Sequence, residues 1–299
     1  MSNMDDIFGG SENTAPAAAD KPFDKEKWAA DKQQQRSEVY ALAEQTADEI
    51  SASGDSFKGY LDTMSRFELY SSTNIMLIYA QNPAATRIGD YDHWKDAETP
   101  VKRGEKGITI LEPGEEYARE DGSTAVSYNT KSVFDIKQTS ATPPEPFNPR
   151  NIKVLCKALV DTSPVPVKLV SALSGNNEKA AGALYQPNMN CIEIVQGLDG
   201  NNIFRCLSQE IALAQIDATG RECQSPEFVA YAASYVMCKK NGVDVQGYDF
   251  SKVQDFFAES DSKAVRSEIT AIRDTVAELT SDLGKKLETQ KAAKSQEAR

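Results

Sequence analysis

Histidine is almost absent from this chain of 299 residues, because His93 is the only one. A site that needs two histidines from one chain is therefore excluded. Long apolar runs are also absent, since none approaches the roughly 18 residues of a membrane span. The N-terminus is acidic and has no basic region followed by an apolar stretch, so we expect no secretory signal and no membrane partner.

Paired cysteines are lacking too. The five cysteines form an odd, scattered set without a CxxC motif, at Cys156, Cys191, Cys206, Cys223 and Cys238. Such a set predicts reduced thiols and a cytoplasmic location.

Basic residues are outnumbered by acidic ones, 33 to 45, which gives a net charge of -12. Bulk charge therefore does not attract nucleic acid or anionic lipid, and any polyanion site must be a local patch.

The length favours about two domains. Up to Pro83 the apolar residues recur at the spacing typical of helices. After Pro83 their spacing is that of strands, and after Asn151 it is that of helices again. We therefore predict an α+β fold of two small domains followed by a long C-terminal helix. The predicted segments are a disordered leader (1–36), for which a short helix at its end stays open, a first domain (37–140), a Pro-rich linker (141–150), a second domain (151–250) and a C-terminal helix with a basic tail (251–299).

Periodicity also predicts the elements. In the first domain these are helices over 37–51, 56–66 and 73–81, strands over 108–111 and 132–136, and a hairpin over 117–127. In the second they are helices over 151–159 and 176–181, strands over 183–186 and 191–195, and helices over 201–218 and 225–241.

The C-terminal segment 262–290 has the clearest helical period. Its apolar positions are Val265, Ile269, Ile272, Val276, Leu279, Leu283 and Leu287. Steps of three and four place them in one stripe. Two interpretations stay open: a helix packed on its own domain, and self-association through a dimeric coiled coil.

Segment 87–107 is the first candidate for chemistry. It combines cations with aromatic side chains, namely Arg87, Lys95, Lys102, Arg103 and Lys106 with Tyr91, His93 and Trp94. Cations pair with phosphates, and aromatic rings stack on unpaired bases. Five acidic residues formally cancel the cations. The alternative is therefore a mixed solvated surface around a core tryptophan.

The second candidate is the helix that contains Gln209, Glu210 and Leu213. A zinc peptidase helix places two histidines four residues apart, with a glutamate after the first as general base. In that arrangement Gln209 and Leu213 occupy the two histidine positions, and Glu210 occupies the position of the general base. Without further context this is an ordinary amphipathic helix.

Several segments resemble one family. They are 60–67 (YLDTMSRF), 70–78 (YSSTNIMLI), 81–83, 94–95 and 101–108 (VKRGEKGI), and the similarity continues into 235–249 and 266–275. Together they resemble the ArdC antirestriction family, especially its LtrC-like members on plasmids and conjugative elements. The resemblance implies an N-terminal domain that binds single-stranded DNA and a zinc-peptidase-like second domain.

The chain departs from the family pattern in that second domain. The family has a HExxH helix and a downstream acidic ligand, whereas this sequence has Gln209, Leu213 and Tyr231 at those places and keeps only Glu210. Glu227 is a weak alternative for the acidic ligand. A carboxylate with no metal-bound water to activate has no hydrolytic role. We therefore expect a degenerate peptidase fold with no catalytic residue, no metal and no cofactor.

The leading hypothesis is a single-stranded-DNA-binding accessory protein of a mobile element. Its predicted contacts are phosphate-binding Lys102, Arg103, Lys106 and Arg87, base-stacking Trp94 or Tyr91, and Asn74, which either braces the fold or touches DNA. One alternative is a structural or partner-binding protein that keeps the fold and has lost both activities. Another is an active metallopeptidase with an unusual ligand set, which the single histidine disfavours.

Overall fold

The computed structural model describes residues 24–119, 121–142, 149–174 and 182–297. Its helices are α1 (Lys25–Ala52), α2 (Gly54–Phe67), α3 (Ser72–Gln81), α4 (Tyr91–Asp96), α5 (Ile152–Val160), α6 (Gly200–Thr219), α7 (Pro226–Asn241), α8 (Val253–Phe256) and α9 (Ser262–Glu297). Its strands are β1 (Ile88–Gly89), β2 (Ile108–Ala118), β3 (Thr124–Asp135), β4 (Val167–Val170), β5 (Ala183–Gln186) and β6 (Cys191–Val195). The predicted mixture of helix and sheet, with a helix-rich C-terminal region, is confirmed.

Helix α1 begins earlier than predicted. The Asp24 side chain accepts a hydrogen bond from the Lys27 N–H at 3.0 Å and caps the helix, which then runs from Lys25. The expected start at residue 37 is wrong because residues 25–36 are rich in Lys, Gln and Ala, which favour helix without forming an apolar stripe. The rest of the predicted leader, residues 1–23, lies outside the described residues.

The first sheet is a long hairpin with a short third strand. Strands β2 and β3 pair antiparallel from Ile108 opposite Val133 to Ala118 opposite Thr124, and β1 pairs with the other edge of β3. The predicted strands and the predicted hairpin are thus parts of one ribbon. A register shift between Pro113 and Glu116 accommodates the proline without ending the pairing.

Asp135, at the end of β3, ties this sheet to its neighbours. Its fully buried carboxylate accepts hydrogen bonds from the backbone N–H groups of Thr86, Arg87 and Lys137 at 2.6, 3.0 and 3.1 Å. The Asp135 side chain therefore joins the segment before β1 to the 3-10 turn that follows β3 (Ile136–Gln138).

The second sheet has the order β4-β6-β5, with β4 parallel and β5 antiparallel to β6. Strands β5 and β6 have the predicted boundaries, whereas β4 and α4 were not predicted. Helix α6 packs against β5, α7 and α5. The predicted helix over 176–181 and most of the predicted linker lie outside the described residues, and the domain division stays a prediction.

Helix α9 joins the two halves of the described chain. Six apolar residues of its stripe are at most 3% exposed: Val265, Ile269, Ile272, Val276, Leu279 and Leu283. The helix packs on α1 and α3 of the first half and on α5, α6 and α7 of the second. A coiled-coil dimer through this stripe would expose that core, so the structure supports the packed-helix interpretation. Across the described residues, no helix combines the length and apolarity that crossing a membrane requires.

We predict that Asp135→Ala destabilises the protein by about 3 kcal/mol, because it leaves three backbone donors without their acceptor. The measurement is the free energy of unfolding in urea. Asp92→Ala, an exposed carboxylate on α4, is the matched control and is expected to cost under about 0.5 kcal/mol. Equal effects of the two substitutions would contradict the role assigned to Asp135.

Candidate functional site

The cationic segment 101–107 forms a loop fastened to the end of the first sheet. Val101 forms an isolated bridge with Thr139, and the Lys102 N–H donates to the Gln138 carbonyl at 2.9 Å. Gly104 has a φ of +87°, a left-handed conformation that glycine adopts without strain. The loop leaves the side chains of Lys102 and Arg103 exposed.

The 3-10 turn Ile136–Gln138 brings the separate cations together. Lys102 Nζ donates to the Lys137 carbonyl at 2.9 Å, and the Lys106 carbonyl accepts from Gln138 Nε2 at 2.8 Å. On the other side of the turn, the Arg87 carbonyl accepts from the Ile136 N–H at 2.8 Å. We call the resulting group the cationic rim: Arg87, Lys102, Arg103, Lys106 and Lys137, all exposed.

Sequence reasoning missed Lys137. It is an isolated lysine beyond the basic segment, and only the fold of β3 back toward segment 101–107 brings it to the rim. Two nearby acids differ in their surroundings, since Glu105 lies in the loop itself and accepts from Gln138 Nε2 at 3.1 Å, whereas Asp90 has a cation of its own. Asp90 is paired with Lys131 at 2.8 Å, and hydrogen bonds from Lys131 and from the His93 N–H lower the pKa of Asp90.

Of the two aromatic residues proposed to stack on bases, Trp94 is buried. It is 2% exposed, and its Nε1 donates to the Phe134 carbonyl at 2.9 Å. The Arg87 guanidinium lies 5.7 Å from the centre of its ring. The stacking role predicted for Trp94 is therefore wrong, and the core alternative is correct. Tyr91, at the start of the same helix, is 56% exposed and is free to stack.

Asn74 braces the fold. Its Nδ2 donates to the Leu111 carbonyl at 2.8 Å, and its Oδ1 accepts from the Leu111 N–H at 2.9 Å. Gln81, on the same helix, makes the equivalent pair of bonds to the Thr109 backbone at 2.8 and 2.9 Å. Two amide side chains of α3 thus form hydrogen bonds with backbone groups on the edge of β2 that does not pair with β3. This placement removes Asn74 from the expected DNA contacts.

The four residues that the resemblance aligns with a peptidase site line one cleft. Gln209, Glu210 and Leu213 of α6 face it together with Tyr231 of α7, as the sequence frame required. We call it the α6–α7 cleft; its volume is about 1060 Å³, and strand β5 forms one of its walls.

Two polar groups of the α6–α7 cleft are engaged with backbone. Glu210 is 8% exposed, and its Oε2 accepts from the Tyr185 N–H of β5 at 2.8 Å. Burial raises the pKa of Glu210, and that hydrogen bond offsets part of the effect. Tyr231 Oη accepts from the Asp249 N–H at 2.8 Å, and burial raises the pKa of this phenol as well.

These side chains do not suit a catalytic metal ion, which needs about three protein ligands. Gln209 offers only a neutral amide oxygen, Leu213 offers no donor atom, and Tyr231 would have to lose a proton that burial makes harder to remove. Within the described ranges, no group of three or more His, Cys, Asp or Glu residues is placed to hold a metal ion.

We predict that Glu210→Gln raises the melting temperature near pH 8. The glutamine keeps an oxygen acceptor for the Tyr185 N–H and removes a charge that burial disfavours. Because the folded pKa of Glu210 is raised, ionisation costs folding free energy above the unfolded pKa of about 4.3. The gain should shrink as the pH falls through the folded pKa.

Thermal unfolding from about pH 8 to about pH 5 measures this effect. Glu222→Gln, an exposed residue of the same cleft, is the control and should give no pH-dependent gain. A melting temperature lowered by Glu210→Gln near pH 8 would show that the ionised carboxylate stabilises the fold.

The family model described as "N-terminal domain of anti-restriction factor ArdC" matches residues 32–148. No curated protein matches the chain by sequence.

Two solved structures of the antirestriction protein ArdC from plasmid R388 are similar in fold, each at 15% identity. The metal-free structure covers 72% of this chain and 86% of its own, with a TM-score of 0.51. The Mn(II)-bound structure covers 81% of this chain and 98% of its own, with a TM-score of 0.55. Residues 32–148 are therefore similar to the N-terminal domain of anti-restriction factor ArdC, and the chain has the fold of the ArdC antirestriction proteins.

Proposed function

We propose that the chain is a non-catalytic, single-stranded-DNA-binding accessory protein of the antirestriction type, carried by a mobile genetic element. The observation that supports this function is the cationic rim, which gathers five exposed cations on a chain of net charge -12. Coating of an incoming single strand would shield it from restriction. The plasmid origin of the structurally similar ArdC protein supports the mobile-element context.

The cationic rim and Tyr91 together suit a single strand, because the cations bind its phosphates and the ring stacks on an unpaired base. Lysine and arginine side chains neutralise phosphates irrespective of sequence. Tyr91 adds an exposed ring on the helix that follows Arg87, and an aromatic ring stacks on a base only when that base is unpaired. A duplex would meet the same cations and would gain nothing from the ring.

The proposal excludes peptide hydrolysis. Hydrolysis by this fold would need a metal ion to activate water, and the donors at the corresponding positions do not suit one. Glu210 keeps the place of the general base, and its carboxylate is engaged with the backbone of β5. In this proposal, the α6–α7 cleft retains the shape of a peptidase site without its chemistry.

Single-strand binding should depend steeply on salt. With about four phosphate contacts at about -0.7 each, the slope of log affinity against log salt should be about -3. Lys102→Ala with Arg103→Ala should reduce it to about -1.5 and weaken binding equally across sequences. Fluorescence anisotropy with labelled oligothymidylate measures both quantities.

The control for this pair is Lys153→Ala with Lys157→Ala, which removes the same charge from the exposed face of α5. It should leave the slope unchanged. If the unmodified protein has no affinity for single strands at low salt, the proposal fails and the structural or partner-binding alternative takes its place.

Tyr91→Ala should weaken single-strand binding by about 1–3 kcal/mol without changing the salt slope, because it removes a stacked base and no charge. Tyr40→Ala, at an exposed tyrosine of α1, is the matched control and should have no effect. An oligonucleotide with abasic sites should abolish the difference between Tyr91→Ala and the unmodified protein. A changed slope would mean that Tyr91 acts through the phosphate contacts instead.

Protein prepared without chelators should contain no stoichiometric zinc or manganese and should cleave no peptide. Gln209→His with Leu213→His should still bind zinc poorly, because the third ligand is missing. Adding Tyr231→Glu should raise the affinity. Metal analysis by mass spectrometry gives the answer, and one metal ion per unmodified chain would reopen the metallopeptidase hypothesis.

A further inference from the structure

The α6–α7 cleft has the opposite charge to the cationic rim. Four carboxylates line it: Glu210, Asp217, Glu222 and Glu227. Among the described residues, its one lining cation, Arg221, is paired with two carboxylates of α9, at 2.7 Å from Glu278 and 3.6 Å from Asp274. The described lining of the cleft therefore carries an excess of negative charge, which repels nucleic acid and attracts cations.

Glu210 shows where that charge is least compensated. Glu210 is 8% exposed, yet no lysine or arginine in the part of the chain that the structure describes forms an ion pair with it. Its one hydrogen bond among these residues is the one that Oε2 accepts from the Tyr185 N–H, and Glu210 lines the cleft. A buried carboxylate costs free energy unless it is paired, and here the cleft is the side from which a partner can arrive.

The remaining surface of the cleft is suited to a chain rather than to a small ion. Its apolar lining includes Leu184, Leu213, Ile216 and Phe228. Strand β5 is the edge of its sheet, and the Tyr185 N–H points away from β6. In an antiparallel ladder the carbonyl of such a residue points the same way, so that Tyr185 offers an acceptor to an extended backbone.

We propose that the α6–α7 cleft binds an extended, basic segment of a partner protein, in which lysine or arginine alternates with apolar residues. A cationic side chain of that segment pairs with Glu210, an apolar neighbour packs on Leu213 and Phe228, and the backbone runs along β5. The volume of about 1060 Å³ is at the upper end of the range for small-molecule sites, which leaves room for several residues. This binding is independent of the DNA-binding proposal.

The two ends of this chain are poor candidates for the occupant. Residues 1–23 contain four acidic residues and one lysine, so their charge has the wrong sign. The C-terminal lysines, from Lys285 to Lys294, lie within α9 itself, and that helix runs about 28 Å from Glu278, beside the cleft, to Glu297. A separate protein is the occupant to which the charges point.

The test uses the full chain and a fluorescein-labelled peptide of alternating lysine and leucine. We expect saturable binding that Glu210→Gln weakens at least about tenfold, since the glutamine keeps the Tyr185 contact and loses the charge. Leu213→Lys, which places a competing cation beside Glu210, should weaken it to a similar degree. A peptide with glutamate in place of lysine should not bind.

Glu115→Gln is the control, because it makes the same change of charge on the exposed part of β2, and its effect should stay below about twofold. Equal weakening by Glu115→Gln and Glu210→Gln would reduce the interaction to bulk charge and overturn the proposal, as would the absence of binding to the unmodified protein. Oligothymidylate affinity, measured on the same samples, should not change in Glu210→Gln. The two proposals therefore fail separately.

Discussion

The burial of one face of α9 is the interaction on which the rest of the structure depends. The helix packs against α1 and α3 on one side and against α5, α6 and α7 on the other, so that the two sheets share one apolar core. Polar contacts set its position along that core. Arg273 donates to the carbonyls of Glu68 and Tyr70, and Thr270 is hydrogen-bonded to Ser72 at 2.7 Å.

The same helix shapes the α6–α7 cleft. Its outer face supplies Asp274 and Glu278, which hold Arg221 at the edge of the cleft and neutralise it. Helix α7, the wall opposite α6, is itself fixed between α9 and α2, where Tyr235 and Lys239 both bind Asp62. Packing and ion pairs therefore hold the two walls of the cleft in place.

The separation of charge follows from these constraints. The cations of the rim lie at the far end of the first sheet, where Asp135 and the following turn gather them. The carboxylates of the cleft lie in the second half of the chain. A protein of net charge -12 can attract a polyanion to such a rim because salt limits the reach of the other charges to about 10 Å. In the two proposals, nucleic acid and a basic protein segment therefore bind at different places.

What the sequence predicted well depended on repeating patterns. The stripe of α9 and the boundaries of β5 and β6 were correct because burial on one face leaves a regular period. The convergence of Glu210 and Tyr231 was also predictable, since the resemblance supplied the register of two helices. Local patterns did not reveal that Trp94 lies in the core or that Lys137 reaches the rim, because both depend on how β3 returns to segment 101–107. The early start of α1 was missed because residues 25–36 have no apolar stripe. Their helix forms through helix-favouring residues and the Asp24 cap instead.

We propose that DNA binds at the cationic rim and not in the α6–α7 cleft. Hydrogen–deuterium exchange of the full chain, with and without oligothymidylate, distinguishes the two sites. We predict slower amide exchange in segments 87–106 and 136–140 and no change in segment 209–231. Protection confined to segment 209–231, or no protection anywhere at a saturating concentration of oligothymidylate, would contradict it.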